Sequence, residues 1–217
     1  KKKKRIWIFD LDNTLYSPST KIFDQIDIRM KIYISKKLKI SENEAYHIQK
    51  QLYHKFGTTL YGLMKFYKID PLDFLNFVHD INLSKLRKSV RLQRYFNMLI
   101  GKKIVFTNGD VNWAKRIIAA LGLTNNLNKI FDIIAANYIP KPKIDSYLSL
   151  IKRYNINPKQ AVFFEDTEKN LEPAFKLGIT TVHIDLNHNK KYPKKLKPFV
   201  NYRFKCIYSA LENINNF

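Results

Sequence analysis

Apolar and polar residues follow two different rhythms along this chain. Five short, nearly continuous runs of β-branched, aliphatic and aromatic residues, Ile6–Phe9, Lys103–Phe106, Ile130–Ala135, Ala161–Phe164 and Thr180–Ile184, predict strands buried on both faces of a largely parallel sheet. Between the last four, helical spacing takes over. Asp110 is placed to cap a helix from Val111 to Leu121, with Gly122 just past its end, and Ile144 to Tyr154 predicts another. A further helix is expected to begin near Glu172 and close at Gly178, because proline is tolerated in the first turn of a helix and Pro173 would then sit there. Strand and helix in alternation imply a doubly wound α/β fold, a Rossmann-like core with right-handed crossovers.

From about Ser17 to Ser89 the rhythm changes. No run there reads as a strand. Ile22, Ile26, Met30 and Tyr33 recur at helical spacing, as do Leu60, Leu63, Met64, Phe66 and Tyr67. Ser41 and Glu44 have capping-box spacing, and Pro71 is placed to open a helix. The segment is expected to be an all-helical cap, residues 17–89, inserted after the first strand of a discontinuous core made of residues 1–16 and 90–217.

Composition narrows the class. Of 217 residues, 45% are hydrophobic and 14% aromatic, which is ample for one α/β core with an appendage and unlike a disordered chain. No apolar run approaches the ~18 residues that cross a bilayer. Lys1–Arg5 leads into a strand-like run rather than the apolar stretch of a signal peptide, and the chain begins at lysine, as expected where the natural start is missing. The single cysteine, Cys206, suits a reducing cytoplasm. The formal charge is +21, from 39 Lys and Arg against 18 Asp and Glu. Such an excess can serve nucleic-acid binding, but lysine outnumbers arginine about four to one, whereas base and phosphate recognition favour the arginine fork. The basic residues are also scattered, apart from clusters at Lys1–Arg5 and Lys190–Lys197. A positive field that draws in small anionic substrates is the expected use of this charge, with no specific nucleic acid and no membrane as partner.

The chemistry sits at strand ends. Ile6-Trp7-Ile8-Phe9 runs straight into Asp10-Leu11-Asp12-Asn13-Thr14. A strand ending in carboxylates delivers charge to the sheet edge where open α/β folds bind their ligands. Two carboxylates so close repel one another, so the pair binds a metal or divides acid and base roles, unless it belongs to an ordinary Asx turn. Lys103–Phe106 leads into Thr107-Asn108-Gly109-Asp110, which suits either an anion cradle at a helix N-terminus or a plain N-cap. Pro140 and Pro142 flank Lys141 and hold the backbone extended. Val162-Phe163-Phe164 ends in a second acidic pair, Glu165-Asp166, with Asn170 shortly after. A hard cation such as Mg²⁺ takes one or two carboxylates plus phosphate and water oxygens. Asp10, Asp12 and Asp166 supply that set if the first and fourth strands are neighbours. The five histidines show no metal-binding spacing.

In this order, Asp10-Leu11-Asp12-Asn13-Thr14-Leu15, Thr107-Asn108, Lys141-Pro142 with Tyr147, and Glu165-Asp166 with Asn170 resemble the four motifs of haloacid dehalogenase-like hydrolases, most of which are phosphatases. The form of the motifs, with Gly57, Leu60, Gly62 and Leu63 in the cap, is closest to the pyrimidine 5′-nucleotidase branch. The resemblance implies Mg²⁺-dependent hydrolysis of a phosphate monoester through an aspartyl-phosphate. Asp10 is the implied nucleophile and Asp12 the acid, then the base. Lys141, Thr107, Asn108 and the amide near Leu11 are implied to bind phosphoryl oxygens. Asp10, the backbone carbonyl of Asp12 and Asp166 are the implied Mg²⁺ ligands, with Glu165 and Asn170 in support. Tyr53, His54, Phe56 and Tyr61 are candidates to contact a base or ribose, or else belong to helix core. The implied substrate is a small phosphorylated metabolite, a nucleoside monophosphate first and a sugar or glycolate phosphate as the alternative, turned over by a monomer or homodimer. Asp12 argues against 2-haloacid dehalogenation, whose branch lacks that acid. The intact set argues against a retired hydrolase that only binds nucleic acid.

Overall fold

A computed structural model describes residues 5–185 and 196–214, so the basic clusters Lys1–Arg5 and Lys190–Lys197 lie outside the described residues except for Arg5, Leu196 and Lys197. Among the described residues, six strands form one sheet: β1 (Arg5–Phe9), β2 (Gly101–Phe106), β3 (Lys129–Phe131), β4 (Ala161–Glu165), β5 (Thr180–Ile184) and β6 (Tyr202–Phe204). Their order is β3-β2-β1-β4-β5-β6, and every neighbouring pair is parallel. The chain builds outward from β1 through β2 to β3 on one side, then restarts beside β1 at β4 and builds outward on the other. That reversal is a topological switch point.

Strand pleating explains why both faces are apolar. Trp7, Phe9, Val105, Val162 and Phe164 face one core, while Ile6, Ile8, Ile104, Phe106 and Phe163 face a second. The second core is closed by α7 (Ile144–Tyr154) and α8 (Glu168–Lys176) through Tyr147, Leu150, Leu171 and Ala174. The first is closed by α5 (Val90–Met98), α6 (Val111–Ala120) and α9 (Ile207–Glu212). With apolar side chains filling the sheet on both sides, carboxylates have room only where the strands end.

Four helices separate β1 from α5: α1 (Ile22–Leu38), α2 (Glu42–Phe56), α3 (Thr59–Tyr67) and α4 (Pro71–His79). They pack on one another and share the first core through Ile22, Ile26, Tyr33, Leu52, Leu63, Phe74 and Val78. The Ser41–Glu44 capping box forms, with the Ser41 amide donating to Glu44 Oε2 at 3.0 Å and the Glu44 amide to Ser41 Oγ at 3.2 Å. Phe66 and Tyr67, expected on the apolar stripe of α3, point outward and are exposed; Leu60, Leu63 and the half-buried Met64 carry that stripe.

Three expectations need correction. The third strand stops at Phe131 because Asp132 turns the chain: its carboxylate accepts the Val111 amide at 2.9 Å and the Ala135 amide at 2.8 Å. Helix α8 starts at Glu168, so Pro173 lies inside it. Its early start follows from the Glu165–Thr167 turn, and burial of Asn170, Leu171 and Ala174 holds the helix across the one backbone bond that Pro173 cannot make. β6 carries no apolar run, since all three of its residues are half-buried, and it joins the sheet by pairing with β5.

Gly101, paired with Arg5 across β1 and β2, has φ +118°, and a Cβ built there would lie 1.9 Å from the Arg5 carbonyl oxygen. Gly101→Ala is expected to cost about 1–3 kcal/mol in urea denaturation through strain at this φ and the forced separation of the two strands.

Candidate active site

The register that pairs Phe9 with Val105 and with Phe164 places the next residue of each strand at the same edge. Asp10 extends the ladder by one bond, its amide donating to the Phe164 carbonyl at 2.9 Å. Lys141 reaches this edge from the loop before α7 and is 1% exposed. Its ammonium spends all three protons at once: on Asp10 Oδ1 at 2.6 Å, Glu165 Oε2 at 2.8 Å and the Phe106 carbonyl at 2.9 Å. Asp10 Oδ2 accepts the Thr14 hydroxyl at 2.8 Å, and Glu165 Oε1 accepts the Thr167 amide at 3.0 Å.

A reciprocal pair of bonds holds Lys141 in place. Its amide donates to Asn108 Oδ1 at 2.9 Å, and Asn108 Nδ2 donates to its carbonyl at 3.3 Å. Thr107 is buried, with its Oγ accepting the Gly109 amide at 3.0 Å. Gly57, at the C-terminus of α2, closes against the same loop: a Cβ there would lie 2.9 Å from Pro142 Cδ, at a φ of +85°. Tyr147 donates its hydroxyl to the Asn170 carbonyl at 2.6 Å and so ties α7 to the first turn of α8, which follows Asp166.

One oxygen each from Asp10, Glu165 and Asp166 lies within 4.8 Å of the others, the hard donor chemistry that suits a small divalent cation. Burial and the Glu165 carboxylate push Asp10 up to about 7, against the pull of Lys141. Asp166 is likewise pushed well up by burial and then by Glu165. Burial alone would lower Lys141, but Asp10 and Glu165 outweigh it and hold the ammonium charged. Three carboxylates around one ammonium leave excess negative charge, which a divalent cation would offset, so the residues present fit such an ion.

Asp12 points elsewhere. Its Oδ1 accepts the Tyr16 hydroxyl at 2.6 Å and Trp113 Nε1 at 3.0 Å, and its carboxylate is not part of the Asp10–Glu165–Asp166 cluster. Burial raises its carboxyl, and the Tyr16 hydrogen bond draws it partly back. Behind Trp113, the His79 ring stacks at 4.9 Å between centroids, and His79 Nδ1 donates to Asp110 Oδ2 at 2.5 Å. Asp110 also caps α6, accepting the Asn112 and Trp113 amides at 2.8 and 3.0 Å.

A cavity of about 600 Å³ connects these groups with the helical segment. Asp10, Asp12, Thr107, Asn108, Lys141, Glu165, Asp166 and Asn170 line one end, while Phe23, Ile26, Met30, Phe74, Leu75 and Val78 form an apolar wall opposite. Of the aromatic candidates, Tyr53 lines it; His54, Phe56 and Tyr61 do not. Tyr61 instead meets Lys143, whose Nζ lies 3.4 Å from its ring centroid, and His54 is exposed. Gln49, which no motif singled out, lies at the wall with its Nε2 donating to Asp27 Oδ1 at 2.7 Å. His79, Trp113 and Tyr16 were also missed. Tyr16, four residues past Asp12, carries a local signal; His79 does not, since only the fold brings α4 against α6.

The Asp110 carboxyl titrates below its ordinary 3.8, because the His79 hydrogen bond and the two helix amides outweigh the effect of burial. A carboxyl depressed in the folded state contributes stability that is present above its unfolded pKa and lost as pH falls through the folded value. Wild type is therefore expected to lose stability faster than Asp110→Asn as pH drops below about 4, with thermal melts across that range as the measurement.

Comparison with known proteins agrees with this geometry. The chain is 26% identical over 234 aligned residues to phosphate metabolism protein 8 of Saccharomyces cerevisiae, covering 97% of this chain and 70% of the yeast protein. Among solved structures, a HAD phosphatase from Thermococcus onnurineus superposes with a TM-score of 0.63 at 18% identity, covering 97% of both chains. The L-2-haloacid dehalogenase of Xanthobacter autotrophicus, with chloropropionic acid covalently bound, gives 0.60 at 10% identity, over 99% of this chain and 100% of that one. At such identities the structures speak for the fold alone. Residues 5–178, which include Asp10, Asp12, Thr107, Lys141, Glu165 and Asp166, match the haloacid dehalogenase-like hydrolases, and the chain belongs to that family.

Proposed function

We propose that this hydrolase cleaves phosphate monoesters through an aspartyl-phosphate on Asp10, with Mg²⁺ as cofactor and pyrimidine nucleoside 5′-monophosphates as its substrate class. The observation that carries the reading is the Asp10–Lys141–Glu165 arrangement at the switch point, which holds a carboxylate oriented, buried and facing a cavity. In the first step an Asp10 oxygen attacks phosphorus and the bond to the ester oxygen breaks, while Asp12 gives that oxygen a proton. In the second, Asp12 takes a proton from water, whose oxygen attacks the same phosphorus and releases inorganic phosphate, restoring the Asp10 carboxylate. Lys141, Thr107 and the amides near Leu11 and Asn108 receive the phosphoryl oxygens, with the Lys141 charge opposing that of the incoming dianion. A divalent ion held by Asp10, Asp166 and the Asp12 carbonyl, supported by Glu165 and Asn170, would screen nucleophile from phosphate and stabilise developing charge.

The helical segment, residues 17–89, is the proposed cap that encloses the leaving group. Its apolar wall and the size of the cavity suit a leaving group as bulky as a nucleoside, and Tyr53, which lines the cavity, is the aromatic proposed to meet it. The kinship with a yeast phosphate metabolism protein supports the same chemistry.

A turnover screen with Mg²⁺ across nucleoside monophosphates and small sugar phosphates tests the substrate class. Preference for pyrimidine nucleotides supports it; preference for a sugar or glycolate phosphate replaces it with the alternative. Asp10→Asn is expected to lower turnover by at least about 10³-fold while leaving circular dichroism unchanged. Exhaustive chelation should abolish activity, and added Mg²⁺ should restore it. Lys141→Met strands two buried carboxylates, so it should cost about 3 kcal/mol of stability in addition to activity, read by denaturant melts and initial rates.

A further inference from the structure

A tryptophan lies between the helical segment and Asp12, and the hydrogen-bond pattern gives it a task. Asp12 Oδ1 accepts from both Tyr16 Oη and Trp113 Nε1, at 2.6 and 3.0 Å, while the indole nitrogen is 3.3 Å from Oδ2. An indole N–H can only donate. With Oδ1 held by these two donors and the indole contact to Oδ2 longer, Oδ2 is the less encumbered oxygen of Asp12 and the one open to proton exchange.

Trp113 is itself clamped. The His79 ring lies over it with only 9° between planes, and His79 Nδ1 is bound to Asp110, the residue that caps Trp113's own helix. From one turn further along α6, Arg116 donates to the His79 carbonyl at 2.5 Å and to the Ile81 carbonyl at 2.8 Å. One face of α6 therefore grips the end of α4 and, from the same ring, aims an N–H at Asp12. Trp113 is 1% exposed and His79 lines the cavity, so the clamp is packed on one side and faces the substrate space on the other.

We propose that Trp113 is a positioning residue that turns Asp12 so that Oδ2 faces the leaving-group oxygen, and that its stack with His79 makes this alignment depend on the seating of the helical segment. The inference rests on the reading of Asp12 as acid and base. It explains why an indole, rather than a plain apolar ring, occupies this part of the core, and why the last residue of α4 is a histidine with its ring against Trp113.

Leaving-group dependence separates positioning from structural support. An aryl ester such as 4-nitrophenyl phosphate expels its leaving group without a proton, whereas an alkyl ester cannot. With kcat/KM as the readout, Trp113→Phe is expected to lose about tenfold or more on the best alkyl substrate and less than about threefold on the aryl one. Asp12→Asn is the benchmark and should show the same bias more strongly. If Asp12→Asn is biased but Trp113→Phe slows both esters equally, the positioning role is overturned while Asp12 keeps its part. If Asp12→Asn shows no bias, the acid–base reading falls and this inference with it. Should Trp113→Phe fail to fold, His79→Asn decides: a bias of about threefold in the same direction supports the proposal, and an unbiased loss or none overturns it.

Discussion

The Lys141 ammonium, buried among Asp10, Glu165 and the Phe106 carbonyl, is the contact on which the rest of this site depends. Each partner comes from a different strand end, β1, β4 and β2, so a single cation holds together the three central strands at the edge where they release their charges. Buried carboxylates left alone would cost several kcal/mol each, and the sheet could not bring two of them this close without the opposite charge between them. Lys141 in turn is placed by Asn108, so the loop after β2 and the loop before α7 form one unit.

The arrangement follows from the sheet. Strands buried on both faces have no place for charge along their length, and in a parallel sheet their C-terminal ends all lie at one edge. The switch between β1 and β4 opens a gap at that edge, and the four inserted helices close over it. At Gly57 the backbone of α2's end packs on Pro142 with no room for a side chain. The cavity thus has a charged floor from the sheet and, from the helices, an apolar wall edged by Asp24, Asp27 and Lys50, an arrangement suited to an ester with an anionic end and a bulky organic end.

Asp10 and Asp12 are two residues apart yet occupy opposite electrostatic settings. Asp10 faces an ammonium and two further carboxylates; Asp12 faces a phenol and an indole. Neighbours of such different character suit the proposed division of roles, in which one carboxyl serves as nucleophile while the other exchanges a proton.

The central strands, the helical stretch between the first two of them, and the gathering of the candidate residues Asp10, Asp12, Thr107, Lys141, Glu165 and Asp166 around one cavity were legible from order and composition alone, because buried strands are continuous apolar runs and these polar residues interrupt them at their ends. Local signals of lesser weight, the Ser41–Glu44 box and the Asp110 cap, were legible too, since both act within four residues. Where burial competed with a propensity rule, the rule gave way: Pro173 lies mid-helix because Leu171 and Ala174 are anchored beneath it, and β6 is a strand although its sequence carries no strand pattern, because the edge of β5 offers it backbone partners. Only tertiary structure could decide that His79 stacks on Trp113, that Tyr53 reaches the cavity while His54 and Tyr61 do not, and that one lysine among many is wholly buried. Those facts depend on which helix faces meet across long stretches of chain, and no periodicity in the sequence records that meeting.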